Sequence, residues 1–332
     1  MAKTSVIVVG TGGFGRYHIG CMLRQEKTTR IAGFVEIAEE SRAAVRKLYA
    51  DAGRKKVPPF YDTIGDLVKA QGAADCALIV TPHKCHVTHI LAALKAGMDV
   101  LVEKPMVLNE GEAKQVIRAR DRTGRLLSVA FPGSFSVAVQ KARELIAAGE
   151  IGPVVSISAH SHQNWKAFTV GKWRQDPEIS GGGFLFDTGS HMINTVVDLA
   201  GADVAELAAV QDNRGAPVEI TSAVSGTFKN GVFFALCAAG DSINCQSRVV
   251  VMGEKGVLIT AAAGETLQLI RPGKPEPEAV PTGPWMSVWE RFLLVRKGKL
   301  ANPCPAEVGL RFARFMDLVR ESVAGGEKVR AR

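Results

Sequence analysis

The chain has 332 residues, of which 46% are hydrophobic and 22% charged, a composition typical of globular proteins with a large core. The length favours two domains over one. The formal net charge of +8 is compatible with nucleic-acid binding, but the basic residues are scattered apart from Arg54-Lys55-Lys56 and no zinc-ligand spacing accompanies them. We therefore expect no nucleic-acid partner, and attribute the charge to solubility and to attraction for small anionic molecules.

The chain also argues against a membrane or secreted protein. No apolar run approaches the length of a bilayer span, and Ser5–Val9 is too short for the core of a signal peptide. Reduced thiols and a cytoplasmic location are expected, because no C-x-x-C pair occurs among the six cysteines, Cys21, Cys76, Cys85, Cys237, Cys245 and Cys304.

The first predicted element is a β-branched strand, Ser5–Val9, that runs into a glycine-rich turn and then a helix. This is the context in which G-x-G-x-x-G binds a dinucleotide. Gly10 permits the tight turn, Gly12 lets the backbone approach a pyrophosphate, and Gly15 lets the helix pack on the strand. The helix N-terminus offers free N–H groups to the phosphates. The alternative is a glycine-rich connection that holds no ligand.

The second strand, Ile31–Val35, ends at Glu36. An acidic residue about 20 residues beyond the glycines hydrogen-bonds the ribose 2′-hydroxyl and repels a 2′-phosphate. The sequence therefore favours NAD over NADP. Arg42 on the next helix offers a positive charge that would accept NADP, and an exposed strand end is the structural alternative for Glu36.

Strands and helices continue to alternate as far as Phe131. This order predicts a doubly wound parallel Rossmann sheet over residues 1–132. The further elements are helices Glu39–Ala50, Ile64–Ala70, His86–Lys95 and Asn109–Thr123 and strands Cys76–Val80, Asp99–Val102 and Leu126–Phe131.

Two of these strands end at residues that suit a ligand site. Thr81-Pro82 follows one strand and Glu103-Lys104-Pro105 follows the next. In open α/β sheets, ligands bind outside the carboxyl ends of the strands, and Pro105 restricts the backbone of the lysine before it. A solvated Glu-Lys pair is an equally simple interpretation. His83, His86 and His89 lack a further ligand for a metal site, so cap and surface roles are preferred and no metal is expected.

The second half, residues 133–332, changes to an α+β pattern. Helix Val137–Ala148 precedes strand Val154–His162, on which His160 and His162 share a face that Asn164 joins if the strand persists. These side chains suit hydrogen bonding to a polyhydroxy substrate. An exposed polar edge strand is the alternative.

A helix over Phe184–Ala200 follows the glycine run Gly181–Gly183. Asp187, His191, Asn194 and Asp198 fall on one stripe of this helix. Asp187 and His191 are four residues apart and so are neighbours on a helix, where a carboxylate orients an imidazole as a general base requires. Glycines let another chain or a ligand come close, whereas a solvated helix face is the alternative.

The remaining pattern predicts a large, open-faced and mostly antiparallel sheet. Asn230-Gly231 marks a hairpin, residues 272–284 form a Pro-rich loop, and helices Trp285–Arg296 and Ala306–Val323 end the chain. The open face favours pairing with a second subunit. The predicted strands are Ala205–Gln211, Val218–Phe228, Val232–Cys237, Arg248–Met252, Gly256–Thr260 and Thr266–Arg271.

In combination, the glycine turn, Thr81-Pro82-x-x-x-His86 and Glu103-Lys104-Pro105 resemble the glucose–fructose oxidoreductase / inositol dehydrogenase / rhizopine-catabolism (Gfo/Idh/MocA) family. The resemblance extends through the second half. It implies that Lys104 positions the reacting hydroxyl, that the Lys104-Pro105 bond is cis, and that His191 is the acid/base with Asp187 as its partner. It also implies a sugar pocket near His160 and a homodimer or homotetramer formed through the C-terminal sheet.

The sequence thus predicts an NAD-dependent dehydrogenase that acts on a secondary hydroxyl of a sugar, inositol or glycoside, or reduces the keto-sugar. The alternatives are an NAD-using lyase or glycosidase with cofactor recycling, and a non-catalytic NAD-binding regulator. We expect cofactor contacts from Gly10, Gly12, Gly13, Phe14, Gly15, Glu36, Thr81, Pro82, His86, Glu103 and Lys104. We expect substrate contacts from Lys104, His160, His162, Asn164, Trp173, Arg174, Asp187 and His191.

Overall fold

The computed structural model describes residues 2–284 and 286–331. They form two compact units. Unit 1 comprises the chain up to Val107, Gly111–Ala130 and Ser287–Glu307. Unit 2 comprises Leu108–Glu110, Phe131–Met286 and the chain from Val308 onward.

Unit 1 contains a six-stranded sheet of order β3-β2-β1-β4-β5-β6 in which every pairing is parallel. The central strand β1 is fully buried, as a strand covered on both faces must be, and its β-branched residues suit that position. This confirms the predicted doubly wound sheet, to which the structure adds the short edge strand β3. The elements are β1 Thr4–Val9, α1 Gly13–Arg24, β2 Thr29–Val35, α2 Glu39–Asp51, β3 Phe60–Tyr61, α3 Ile64–Gln71, β4 Cys76–Ile79, α4 His86–Lys95, β5 Asp99–Val102, α5 Glu110–Thr123 and β6 Leu127–Val129.

Unit 2 contains a nine-stranded sheet of order β14-β13-β12-β11-β7-β10-β9-β8-β15. Only the β7–β10 pairing is parallel among these described strands, so the sheet is mixed and mostly antiparallel. The elements from Phe131 onward are α6 Pro132–Phe135, α7 Val137–Ala147, β7 Val154–His162, α8 Trp165–Thr169, α9 Pro177–Ser180, α10 Phe184–Asp187, α11 Gly189–Ala200, β8 Val204–Asp212, β9 Thr221–Phe228, β10 Phe233–Ala239, β11 Gln246–Gly253, β12 Gly256–Thr260, β13 Leu267–Arg271, β14 Lys274–Ala279, α12 Val288–Arg296, α13 Ala306–Gly325 and β15 Val329–Arg330.

The helix α12 corrects the predicted division at residue 132, because it belongs to unit 1 and not to the second domain. Trp289 is fully buried in the unit 1 core beside Phe34, and its indole N–H donates to the Thr29 hydroxyl at 2.9 Å. The helix begins at Val288 behind a capping box of Ser287 and Glu290. The predicted start at Trp285 lies outside the described residues.

Two other local predictions were wrong in unit 2. Strand β14 occupies part of the predicted Pro-rich loop, where Lys274 and Pro275 begin an edge strand paired with β13. The predicted single helix Phe184–Ala200 is interrupted at Thr188. The Ser190 hydroxyl donates to the Asp187 carbonyl at 2.6 Å and so competes for an acceptor of the helical ladder. The predicted Asn230-Gly231 hairpin is confirmed between β9 and β10, with Gly231 at φ +85°.

The two faces of the nine-stranded sheet differ. Phe234 of β10 packs on Phe315 of α13, with ring centroids 5.9 Å apart, and the register pairs Phe234 with Ile157 of β7. The opposite face leaves Phe233 63% and Val210 74% exposed. We call this second surface the open face. Within residues 2–284 and 286–331, no helix has both the length and the apolar content needed to cross a membrane.

Candidate active site

The glycine turn after β1 is packed tightly at two positions. Gly10 has φ +87°, and a Cβ there would lie 2.7 Å from the Val80 carbonyl oxygen. A Cβ on Gly15 would lie 2.3 Å from the Gly10 carbonyl oxygen. Side chains at these positions would force α1 away from β1 and β4, so glycine is needed for packing alone.

The middle of the same turn is open. Among the described residues, no atom lies within 4 Å of a Cβ built on Gly12 or Gly13. The first turn of α1 contains no acidic residue, and Phe14 is half-exposed beside it. Bare backbone at a helix N-terminus is the surface that a pyrophosphate needs, so the turn fits a dinucleotide.

Glu36 lies against this turn. Its carboxylate accepts hydrogen bonds from the Thr11 amide at 2.8 Å and the Thr11 hydroxyl at 2.9 Å. Arg42, the positively charged residue that would accept NADP, donates instead to the Glu36 carbonyl at 2.7 Å and pairs with Asp62. The end of β2 therefore presents a fixed carboxylate, and the neighbouring guanidinium is held by other oxygens.

Two of the three histidines after β4 are internal, which corrects the surface roles predicted for them, whereas His89 is partly exposed. His83 and His86 are buried. The two ring nitrogens of His86 contact the Thr81 carbonyl at 2.8 Å and the Pro105 carbonyl at 2.9 Å. Burial is the main cause that lowers the pKa of His86. The imidazole thus ties the segment after β4 to the segment after β5.

The segment after β5 is also fixed internally. The Lys104-Pro105 bond is cis, as the family resemblance implied. Glu103 is buried, so the interpretation as a solvated Glu-Lys pair does not apply to it. Its carboxylate contacts His18 Nε2 at 2.8 Å and accepts from the Lys104 amide at 3.1 Å. Sequence reasoning missed His18, although a lone histidine on the apolar side of α1 was a usable signal.

In unit 2, the Asp187 carboxylate at the end of α10 is the centre of a buried cluster. One of its oxygens, Oδ2, accepts from the Trp165 indole N–H at 2.9 Å and from Arg174 Nε at 3.0 Å. The Arg174 guanidinium stacks over the Trp173 ring at 4.4 Å. Arg174, predicted to contact substrate, therefore pairs with Asp187. Trp165 was missed by sequence reasoning, because nothing local relates it to a residue 22 positions later.

Of the rest of the predicted polar stripe, Asn194 and Asp198 are buried and His191 is partly buried, so the stripe is not a solvated face. His191 meets the edge of the Phe131 ring at 6.3 Å between centroids. Asn194 donates to the Ser134 hydroxyl at 2.8 Å, and that hydroxyl donates to Asp198 at 2.6 Å. Asn194 and Asp198 thus hold α11 on α6, so this part of the stripe has a structural role.

The glycine run before α10 is closely packed against other residues of the protein. A Cβ on Gly183 would lie 1.9 Å from the Glu219 carbonyl oxygen, and one on Gly182 would lie 2.6 Å from the Phe186 Cβ. The Glu219 carboxylate accepts from the Gly183 amide at 2.5 Å. Burial raises the pKa of Glu219.

His160 and His162 lie on the face of the sheet opposite to the one on which α11 packs. The α11 helix packs on β7, and the helical side of β7 carries Ile157. Because side chains alternate along a strand, His160 and His162 lie on the open face. Their rings stack on each other there, with centroids 5.8 Å apart. The strand ends at His162, so Asn164 does not continue it and instead precedes α8.

Known proteins are similar to this chain over most of its length. Oxidoreductase P35 of Formosa agariphila is 28% identical over 251 residues, which cover 72% of this chain and 76% of that protein. Glucose-6-phosphate 3-dehydrogenase of Bacillus subtilis is 26% identical over 264 residues, which cover 75% of this chain and 71% of that protein. The structure of levoglucosan dehydrogenase with NADH and levoglucosan matches with a TM-score of 0.86 over 100% of both chains at 20% identity, which shows the shared fold.

Two family models match successive parts of the chain. The model of an oxidoreductase family with an NAD-binding Rossmann fold covers residues 4–131, and the GFO/IDH/MocA C-terminal domain covers residues 139–259. Together with the glycine turn and the cis Lys104-Pro105 segment, these matches agree with the resemblance seen in the motifs. The chain therefore belongs to the Gfo/Idh/MocA family of oxidoreductases.

Proposed function

We propose that this protein is an NAD-dependent dehydrogenase that oxidises a secondary hydroxyl of a sugar, inositol or glycoside, or reduces the corresponding keto-sugar. The observation that carries the proposal is the buried Asp187 carboxylate, which Trp165 and Arg174 hold by hydrogen bonds. Asp187 lies four residues before His191 in the sequence. A fixed carboxylate beside an imidazole is the arrangement of a general base. The relatives named as sugar dehydrogenases support the substrate class.

In the proposed mechanism, His191 removes the proton of the hydroxyl group. Asp187 orients the His191 imidazole and stabilises the imidazolium that forms. The Lys104 ammonium stabilises the developing alkoxide, since a positive charge close to that oxygen lowers the energy of the transition state. When bound, NAD supplies the hydride acceptor. We propose that residues 1–132 bind the cofactor and that residues 133–332 supply the acid–base pair.

We propose NAD, not NADP, as the cofactor. Glu36 is held by Thr11 at the glycine turn, where a 2′-phosphate would meet its negative charge. Arg42 is engaged by the Glu36 carbonyl and by Asp62, so moving it toward a 2′-phosphate would break both contacts.

The experiment that tests the proposal is a panel of inositols, aldoses and glycosides assayed for NADH absorbance with NAD present. We expect at least one polyol to give net NADH. On the best substrate, Lys104→Ala, Asp187→Ala and His191→Ala should each lower turnover by about two to four orders of magnitude. If His191→Ala leaves turnover near that of the wild type, the catalytic assignment is wrong.

The same assay separates the alternatives, because a lyase or glycosidase that recycles its cofactor consumes substrate without net NADH. Binding of NAD with no turnover on any substrate would favour a regulator.

We further propose that the protein is a homodimer or homotetramer formed through the open face. The support is the exposed apolar surface of that face, including Val210 and Phe233.

A cytoplasmic location is proposed as well. Buried thiols such as Cys21 and Cys76 suit a reducing compartment.

A further inference from the structure

We infer that Trp165 and Arg174 are positioning residues that fix the Asp187 carboxylate for its work on His191, an inference that rests on the proposed function. Both donors approach the same oxygen, Oδ2, at 2.9 and 3.0 Å. Asp187 and Trp165 are 4% and 3% exposed, so the contact between them is nearly dry, and Arg174 reaches it from a partly exposed position. A hydrogen bond to a charged group is stronger there than at the surface.

The two donors differ in what they contribute. Trp165 is closely packed: it is buried, its ring centroid lies 6.1 Å from that of Phe184, and its carbonyl accepts from the Thr169 hydroxyl. Its indole N–H fixes direction without adding charge. Arg174 adds a positive charge that offsets the cost of burying the carboxylate, and its stacking on Trp173 holds the guanidinium plane.

The backbone transmits this placement to His191. Thr188, between α10 and α11, keeps right-handed helical geometry at φ −81° and ψ −39°. The Thr188 amide donates to the Phe184 carbonyl at 3.0 Å, and the His191 amide donates to the Thr188 carbonyl at 3.2 Å. Side chains four residues apart on such a segment are neighbours. A carboxylate held at one oxygen by two donors is restricted to one orientation, and this segment connects it to His191.

This role also explains which negative charge the Arg174 guanidinium pairs with. Because it pairs with Asp187, we do not assign it to a phosphate or carboxylate of the substrate. The residues that bind the substrate and the residues that hold Asp187 are then separate sets. Changes in the first set should mainly affect KM, and changes in the second set should mainly affect kcat.

The test uses three variants, Trp165→Phe, Arg174→Gln and Arg174→Lys. Each is made alone and also together with Asp187→Asn. Trp165→Phe and Arg174→Gln should each lower kcat about 10- to 100-fold, the range for hydrogen bonds to charged groups, while KM and NAD affinity change less than about threefold. Arg174→Lys should recover part of the loss, because it keeps the charge but not the fork of donors. On the Asp187→Asn background, each further change should cost less than about twofold, because the group on which both residues act has been altered.

Unit 1 offers matched controls that should keep wild-type kcat. Trp289→Phe removes a buried indole hydrogen bond, to Thr29 at 2.9 Å. Arg296→Lys alters a part-buried arginine that pairs with Asp99 at 2.8 Å. A readout without substrate is the indole 15N–1H resonance of Trp165, assigned by its loss in Trp165→Phe. It should shift in both Asp187→Asn and Arg174→Gln.

The outcomes separate the two proposals. If Asp187→Asn keeps wild-type turnover, the proposed mechanism falls and this inference with it. Suppose that Asp187→Asn has strongly reduced but measurable turnover. If Trp165→Phe and Arg174→Gln then keep kcat within twofold, or if their losses add fully on the Asp187→Asn background, only the positioning role is overturned. Should Trp165→Phe lose its fold in a thermal melt, the partly exposed Arg174 variants decide the question.

Discussion

At the scale of single residues, Glu36, Glu103 and Asp187 are acidic residues whose main contacts are donors of the protein itself. Glu36 accepts from Thr11, Glu103 accepts from the Lys104 amide, and Asp187 accepts from Trp165. A carboxylate with several donors is restricted to one orientation. Each of them can therefore act on a ligand or a neighbour at a defined distance, which a solvated side chain cannot do.

The first prediction concerns cofactor preference. Glu36→Ala should reduce the preference for NAD over NADP by about tenfold, because it removes the charge that repels a 2′-phosphate. Binding of both cofactors by fluorescence quenching measures it. Thr11→Val is the control, since it removes the hydroxyl bond to Glu36 at 2.9 Å but keeps the carboxylate, and it should retain the wild-type preference. Tighter binding of NADP than of NAD by the wild type would contradict the assignment.

The second prediction concerns acid sensitivity. Burial lowers the pKa of both His86 and His89, so the folded protein favours the neutral imidazoles. A histidine whose pKa is lowered on folding stabilises the fold at pH values above its unfolded-state pKa of about 6.5. This stabilisation is lost as the pH falls. The thermal midpoint should therefore fall between pH 7 and pH 5, and it should fall less in His89→Gln.

Thr81→Val is the control for this experiment. It removes the contact of the Thr81 hydroxyl with His89 at 3.1 Å but keeps the titrating ring, so it should show the wild-type pH dependence. Equal slopes for His89→Gln and the wild type would exclude the histidine as a source of acid sensitivity.

At the scale of elements, the four-residue helix α10 exists because of tertiary contacts. A single turn is unstable alone, since its nucleation fixes several residues for one hydrogen bond. Glu219 supplies the missing partners: its carboxylate accepts from the Gly183 amide at 2.5 Å, and its carbonyl accepts from the Phe184 amide at 2.9 Å. Arg320 of α13 donates to the Gly181 carbonyl at 2.9 Å. The turn that carries Asp187 is thus held at its N-terminal donors by Glu219, and the glycine run before it is held by Arg320.

The third prediction tests the contact with Glu219. Gly183→Ala should lower the free energy of unfolding by about 1–3 kcal/mol or more, the usual cost of overpacking, because its Cβ would lie 1.9 Å from the Glu219 carbonyl oxygen. Urea denaturation measures it. Gly65→Ala in α3 is the control, since its Cβ would lie 3.6 Å from the Thr63 hydroxyl oxygen, and it should stabilise by up to about 1 kcal/mol. A Gly183→Ala variant as stable as the wild type would rule out the close approach.

At the scale of the whole molecule, the sheet of unit 2 is suited to association through its face and not through its β14 edge. Edge strand β14 carries lysine, glutamates and two prolines, which oppose strand pairing between molecules. The open face instead presents Phe233 and Val210 with small residues such as Ala223 and Ala235 beside them. A flat apolar surface of this kind is stabilised when a second copy covers it.

The fourth prediction concerns this association. The wild type should sediment as a dimer or tetramer at micromolar concentration, and Phe233→Asp should shift it to monomer, because a buried unpaired charge opposes the contact. Val323→Asp is the control: Val323 is 37% exposed on α13, the helix whose Phe315 packs on the opposite side of the sheet, and the variant should keep the wild-type mass. A monomeric wild type would refute the proposed interface.

Local patterns in the sequence were enough to predict much of the fold. The β-branched run before the glycine turn, the limits of α4, β5 and β7, and the Asn230-Gly231 hairpin all follow from periodicity and turn chemistry within a few residues. The open, bare backbone at Gly12 and Gly13 follows from the same pattern. Such features depend on short-range sterics and hydrogen bonding, which the order of residues determines by itself.

Only the tertiary structure decided what depends on distant partners. Alternation puts His160 and His162 on one face of β7, but which face the helices cover is a matter of packing between elements. The donors of Asp187, the Glu219 carboxylate beneath Gly183 and the place of Trp289 in unit 1 join residues 13 to 260 positions apart. Contacts of that kind leave no local period in the sequence, because chain folding and not neighbourhood brings the residues together.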